Sequence, residues 1–428
     1  MGQGTAPTSQ PFLPTCKGLL LIIFALSSSV LFPHVRAPFL ALRAPAPPNP
    51  LAAPDGAGTR LWRTWEAVSG PHPLCEPAYL RAQLAAAHVP PAVNGFAPNR
   101  PTAAAITIIG RYPSEAQAPG GGAVIGMDLM FDLLLKFFPS QDEFFYAPFG
   151  IDFVLLLQEG VGMDCALLGA ARDLGWVAWE GDGAPLRLCT AVARANATGV
   201  YRTPRGTRAI VKARDFALPR YLQRNPQLLD RPEWLSCGGR RDVSYNLFSG
   251  AAFSHHVYVE PVLDAYDVTF KMDVDVRFLR LPPFDPLAAL AGCSIMVTRV
   301  FPWEMCNTNS VEAFTKFAEL TGRPASSAGR EWLRVGDFTY GMFHADVSQV
   351  LRSDASAIFH TWLYECVEDG YFRYRWGDQA SWTLITAMWR DLGHDLRNSS
   401  AVCLWPWKEW PGEDRTGQGP LVLNHGWT

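Results

Sequence analysis

Apolar residues recur along this 428-residue chain in two periods, and the alternation between them outlines an α/β fold. Ala103 to Gly110 (AAAITIIG) is a short continuous apolar run, the pattern of a strand buried on both faces. Gly126 to Phe138 has helical length and an apolar majority. Glu143 to Tyr146 reads as leading into a second strand, which ends at a Pro-Phe-Gly turn. Met163 to Leu174 reads as a helix and Gly175 to Trp179 as the next strand. This order predicts βαβ units and a mostly parallel sheet flanked by helices, and such sheets bind ligands beyond the carboxyl ends of their strands. A further helix is expected around Pro77 to His88 and a further strand at Cys293 to Thr298.

The stretch with the clearest chemistry is Tyr266 to Phe278 (YDVTFKMDVDVRF). Its alternation is that of a strand, where residues i and i+2 share a side. Asp273 and Asp275 are therefore expected to face one way at a strand end, as hard oxygen ligands for a divalent cation. Adjacent residues diverge on a strand, so His255 and His256 cannot chelate together.

The amino-terminal pattern differs. A polar tail (1–17) precedes the apolar run Gly18 to Phe32, and a Pro/Ala-rich tract follows. The reading is a short signal anchor at 18–33, a stem at 34–70 and a luminal catalytic head at 71–428; a cleaved signal peptide is the competing reading. An anchored protein of this type is single-pass type II, in Golgi or ER membranes. Eight of the nine cysteines are spread over the head as candidate disulfides of open pairing, and no CxxC spacing suggests zinc. The sequons at Asn196 and Asn398 fit a luminal surface. A formal charge of -3 without a dense Lys/Arg run argues against nucleic acid as partner, and 48% apolar content excludes a disordered chain.

Three blocks resemble the fungal Golgi α-1,2-mannosyltransferases, glycosyltransferase family 15. Tyr371 to Ala387 (YFRYRWGDQASWTLITA) is similar to the family's F-Y-E-R-W-G-D-A-P-V-H-S block. Phe338 to Ser353 is similar to its F-E-I-x-D-x-x-F-x-R-S stretch. Tyr266 to Phe278 is similar to Y-x-Y-Y-W-R-V-E-P-D-V-K-F, with Asp273 on the family's Glu and Asp275 on its Asp. Ser140 to Phe145 and Thr102 to Arg111 match its first two strands more loosely. The chain departs from the family at Val274, where the family has Pro, at Trp382, where it has His, and at Asn246, where it has Arg.

The resemblance implies a distant member with a GT-A-type, Rossmann-like nucleotide-diphospho-sugar transferase fold. It also implies GDP-mannose as donor, Mn²⁺ as cofactor, and retaining transfer of mannose to a mannose-containing glycan. Asp275 is the first-choice metal ligand, with Asp273 touching the metal, a water or the ribose. An imidazole suits Mn²⁺ as well, and His425 is favoured over His394. The family's motifs place Asp378 at the acceptor hydroxyl, where a helix cap is the bland alternative, and Glu304 near the reacting sugar. Arg111 falls on the family's arginine near the nucleotide, and Tyr245, also assigned to the nucleotide, is the tyrosine nearest to the family's Y-x-x-M region, which has no clean match. Trp303 and Trp376 are read as sugar-stacking or core. A glycan-binding protein on a degenerate transferase fold remains a second reading. A hydrolase ranks last, because neither G-x-S-x-G nor H-E-x-x-H occurs.

Overall fold

The computed structural model describes residues 70–87, 102–110, 127–158, 169–178, 198–214, 216, 218–230, 247, 255, 260–290, 295–297, 310–322, 343–347, 353–368, 370–374, 376, 381, 384–385, 388, 402–404 and 423–425. The strands are β1 (Ala103–Ile109), β2 (Asp152–Gln158), β3 (Val177–Ala178), β4 (Thr198–Arg202), β5 (Arg208–Arg214), β6 (Val268–Met272), β7 (Val276–Phe278), β8 (Ile295–Val297), β9 (Phe343–Val347), β10 (Val402–Leu404) and β11 (Leu423–His425). The main helices are α1 (Pro77–Ala86), α2 (Met127–Gln141), α3 (Ser310–Leu320) and α4 (Asp354–Cys366).

Nine of these strands form one sheet in the order β10-β8-β9-β6-β1-β2-β5-β4-β3. Its centre, β6-β1-β2-β5, is parallel throughout, as the βαβ reading requires. Antiparallel pairs flank that centre: β9 against β6 and β8 on one side, β4 against β5 and β3 on the other. Burial on both faces explains why β1 and β2 are apolar almost without interruption. Ala104, Ile106, Ile108, Val154, Leu156 and Ile210 pack with α3 and α4. Ala105, Ile109, Leu155, Leu157, Phe270 and Met272 pack on the other face with α2. The described residues all fall in one compact unit, residues 45–428.

The second strand lies elsewhere than the sequence suggests. Glu143 to Tyr146 is helical, because α2 runs through Pro139 into one π-helical turn at Asp142–Tyr146. The strand follows the Pro-Phe-Gly turn instead of ending there, and the match of Ser140 to Phe145 to a strand falls with it. Tertiary hydrogen bonds explain the departure. The Tyr146 hydroxyl donates to Gln141 Oε1 at 2.9 Å, and the Gln141 amide donates to the Val276 carbonyl at 2.6 Å. Helical geometry aims Gln141 at β7 and the Tyr146 hydroxyl at Gln141 and at Met272 Sδ of β6, 3.2 Å away.

A disulfide joins Cys75 to Cys366, tying the start of α1 to the end of α4. The anchor and stem segments, Glu304, Arg111, Tyr245, Trp303, Asp378, His394 and both sequons lie outside the described residues. Among the described residues no helix is long and apolar enough to cross a membrane.

Three histidines, His72, His255 and His360 of α4, are buried. His255 stacks on Tyr364 with ring centroids 4.8 Å apart, and its Nε2 meets Thr361 Oγ1 at 3.0 Å. The Thr361 hydroxyl donates to the Ala357 carbonyl, so His255 Nε2 is the protonated nitrogen. Burial holds His360 down to about 3. Burial, and then the nearby Arg220 charge, hold His72 down to about 4. A histidine lowered on folding binds fewer protons than it does unfolded, so stability falls as pH drops below about 6.5 and continues to fall through the folded value. For His72 that loss is on the order of 3 kcal/mol in full. The raised carboxyls of Asp142, Asp152 and Glu365 act with the opposite sign. Comparison with a variant isolates the histidine. His72→Asn retains an acceptor for the Leu74 amide, and its melting temperature is expected to fall less steeply than wild type between pH 6.5 and 4 in a calorimetric series.

Candidate functional site

The carboxyl edge of the parallel strands is where the α3/α4 face of the sheet changes character. Below it the side chains are apolar, and at it stand Gln158, Lys212, Arg214 and Lys271, all buried or half-buried. Glu260 is fully buried between the two β5 cations. Its Oε1 lies 2.6 Å from Lys212 Nζ and its Oε2 lies 2.8 Å from Arg214 Nε. Glu260 Oε1 also accepts from the Val262 amide, which fixes the turn leading into β6. Glu260 thus bridges the two cations and fixes both at the end of β5.

The Asp-Val-Asp segment leaves the end of β6 as a tight turn to β7. The strand stops at Met272, so the two carboxylates stand on a turn and not on the strand itself. The Val276 amide donates to the Asp273 carbonyl at 3.2 Å and closes it. The alternation persists through the turn nonetheless. Met272, Val274, Val276 and Phe278 are buried in the α2 core, while Asp273 and Asp275 stay half-exposed. The turn is held from behind at three points. Thr107 Oγ1 donates to the Met272 carbonyl at 2.8 Å, Gln141 reaches the Val276 carbonyl, and the Phe278 ring stacks on Phe145 at 4.7 Å. Such backing fixes carboxylates in advance of a ligand.

Lys271 was not foreseen as part of this arrangement. Its ammonium is only 4% exposed and lies 2.5 Å from Asp273 Oδ1. An alternating pattern reads Lys as solvent-facing, yet opposite charges two apart on a strand share a face, and that spacing was the available signal. β11 pairs antiparallel with β7 and places His425 opposite Val276, so its backbone runs beside the residue after Asp275. Among the described residues no group of three His, Cys, Asp or Glu is assembled as a metal cage. The carboxylate oxygens of Asp273 and Asp275 are of the donor type that a hard divalent cation such as Mn²⁺ accepts.

Trp376 proves to be core. It is 1% exposed, packs edge-on to Tyr371 at 6.1 Å, and cannot stack on a sugar. A Cβ at Gly370 would lie 2.8 Å from its ring, so the turn after α4 requires glycine there. Ser381, Leu384, Ile385 and Met388 are helical and buried at one-face spacing, and the Tyr371 hydroxyl meets Ser381 Oγ at 2.5 Å. Packing thus anchors both flanks of the Trp-Gly-Asp block.

No family model and no curated protein matches the chain. Among solved structures it is similar to the mannosyltransferase Ktr4p from S. cerevisiae in complex with GDP, at 12% identity and a TM-score of 0.42, covering 75% of this chain and 77% of that one. It is similar to core-mannan synthase A from Aspergillus fumigatus in an Mn/GDP form, at 11% identity and a TM-score of 0.45, covering 74% and 78%. Mouse xyloside xylosyltransferase 1 follows at 12% identity and a TM-score of 0.36, covering 76% and 97%. At these identities and TM-scores the similarity decides nothing about activity, which is read from the chain's own residues.

Proposed function

We propose that the chain is a retaining glycosyltransferase that takes GDP-mannose and transfers mannose, in α-1,2 linkage, to a mannose-containing glycan. The observation that carries this reading is the clamped Asp-Val-Asp turn at the carboxyl edge of a parallel sheet, with His425 in register beside it. Bound Mn²⁺ supplies charge neutralisation to a leaving diphosphate. Asp275 and His425 hold it, with Asp273 beside them. Arg111 and Tyr245 hold the nucleotide. Asp378 accepts the proton of the acceptor hydroxyl as that oxygen bonds to the sugar's anomeric carbon. The bond from that carbon to the diphosphate breaks, and the diphosphate leaves with the electron pair. Glu304 lines the reacting sugar.

The Cys75–Cys366 disulfide supports an exported head, since such bonds persist in oxidising compartments. An anchor at 18–33, read from the sequence, would hold such a head in Golgi or ER membranes.

A thermal-shift panel of nucleoside diphosphates, with and without Mn²⁺, tests the reading. GDP with Mn²⁺ is expected to raise the melting temperature more than UDP or ADP, because a ligand stabilises the state it binds. No response to any diphosphate would sink the proposal. The ion pair between Lys271 and Asp273 favours one second reading, a glycan-binding protein without transfer. Glycan binding without nucleotide affinity would select it.

A further inference from the structure

We infer that Tyr146 is a positioning residue of the proposed donor site: acting through Gln141, its hydroxyl sets the turn that presents Asp273 and Asp275. This role rests on the nucleotide-sugar reading and adds to it the part of α2 that shapes the site.

The end of α2 changes its winding where it meets the site. It becomes π-helical at Asp142–Tyr146, and the Ala147 amide donates to the Asp142 carbonyl, five residues back. In a regular α-helix residues five apart point about 140° away from each other. A π-turn, whose bonds run i→i+5, brings position 146 back over position 141. The Tyr146 hydroxyl therefore reaches Gln141 Oε1 at 2.9 Å. The Gln141 amide then has one orientation. The Val276 carbonyl can only accept, so Nε2 faces it at 2.6 Å and Oε1 takes the Tyr146 proton. Both side chains are buried, so water cannot replace either bond. Burial, and then the nearby Asp142 carboxylate, push the Tyr146 hydroxyl well above its usual range, and it remains a donor. Phe145, on the same π-turn, lies against Phe270 at 5.1 Å and Phe278 at 4.7 Å. The π-turn thus touches β6 before the carboxylates, at Met272 Sδ, and β7 after them, at Val276 and Phe278. A turn gripped at both ends holds one arrangement before a ligand arrives. A looser turn has to be ordered by the ligand, at a cost in affinity.

Calorimetric titration of Mn²⁺ in the presence of GDP, together with amide hydrogen exchange, tests this on the full chain with Tyr146→Phe, Gln141→Met and the double variant. Tyr146→Phe removes a single oxygen. It is expected to weaken Mn²⁺ binding by about 10-fold, the lower end of the range for groups that orient metal ligands from behind. The Val276 amide, which bonds the Asp273 carbonyl, is expected to exchange about 10-fold faster in this variant, while the amides that pair β1 with β2 keep their rates. Because Tyr146 acts through Gln141, the double variant is expected to lose no more affinity than Gln141→Met alone. Ile358→Val, in the core on the opposite face of the sheet, is the stability control, and it is expected to lower the melting temperature without moving either readout. A merely structural hydroxyl would make Tyr146→Phe behave like that control. An unchanged Mn²⁺ affinity in Tyr146→Phe, or additive losses in the double variant, would overturn the role of Tyr146 while the nucleotide-sugar reading stands. If wild type binds neither Mn²⁺ nor GDP, the functional reading falls and the role of Tyr146 falls with it. Should Gln141→Met fail to fold, Tyr146→Phe decides alone.

Discussion

Asp275→Asn is expected to reduce mannosyl transfer by on the order of 10²–10³-fold while leaving the fold intact. The side chain is half-exposed on the turn between β6 and β7, and its neighbours Val274 and Val276 carry the packing. The loss of one surface charge there should change stability by no more than about 0.5 kcal/mol. The amide retains size and one oxygen but removes the charge that draws in a cation, and the Lys271–Asp273 pair cannot replace it. Radiolabel transfer from GDP-mannose to a mannose acceptor measures the effect, and circular dichroism checks the fold. Activity within a few-fold of wild type would remove the turn from the mechanism.

Opening the Cys75–Cys366 bond has the largest expected effect on stability. The bond joins positions 291 residues apart. In the chain-entropy model a loop of that length restrains the unfolded chain by on the order of 5 kcal/mol, an upper bound because residual structure and native relaxation reduce it. The Cys366→Ser and Cys75→Ser variants should therefore melt well below wild type under oxidising conditions, and a reductant should lower wild type to the same temperature. The local consequences reach beyond the two sulfurs. Cys366 ends α4, and the next ten residues lead through Gly370 and Tyr371 to Trp376, the first residue of the Trp-Gly-Asp block. Glu365, one residue earlier, accepts the Arg220 amide at 2.9 Å and so holds the segment that follows β5. Variants that melt together with the oxidised wild type would show that α4 is held without the bond.

Sequence periodicity was informative where one physical effect dominated. β1 and β8 lie within the runs that their apolar residues marked, and α1 starts at Pro77 as read; in β1 every residue is buried, which sets its pattern. The alternation across Tyr266 to Phe278 placed the two carboxylates on one side, and that side is the outward one, although a turn and not a strand carries them. It missed features set by partners distant in sequence. Glu143 to Tyr146 is helical because Gln141 and Tyr146 have hydrogen-bonding partners across the fold. Lys271 and Glu260 are buried because ion pairs replace their hydration, which hydropathy cannot register. The burial of Trp376 was undecidable from type, since an aromatic ring suits a core and a sugar equally. The pairing of Cys75 with Cys366, one of many possible among eight cysteines, required the packed ends of α1 and α4.

The position of β6 has a kinetic consequence. It lies between β1, which precedes it by 165 residues at the Thr102–Asp267 contact, and β9, which follows it in the chain. β1 and β2 can pair early, but the strand that ends at the carboxylate turn must wait for distant partners. Such non-local closure slows folding toward milliseconds to seconds or longer. Until it is complete, the edge of β1 is an exposed apolar strand open to wrong pairing. The candidate site is therefore among the last parts of the chain to form, and a nucleotide that bound there would report that folding has finished.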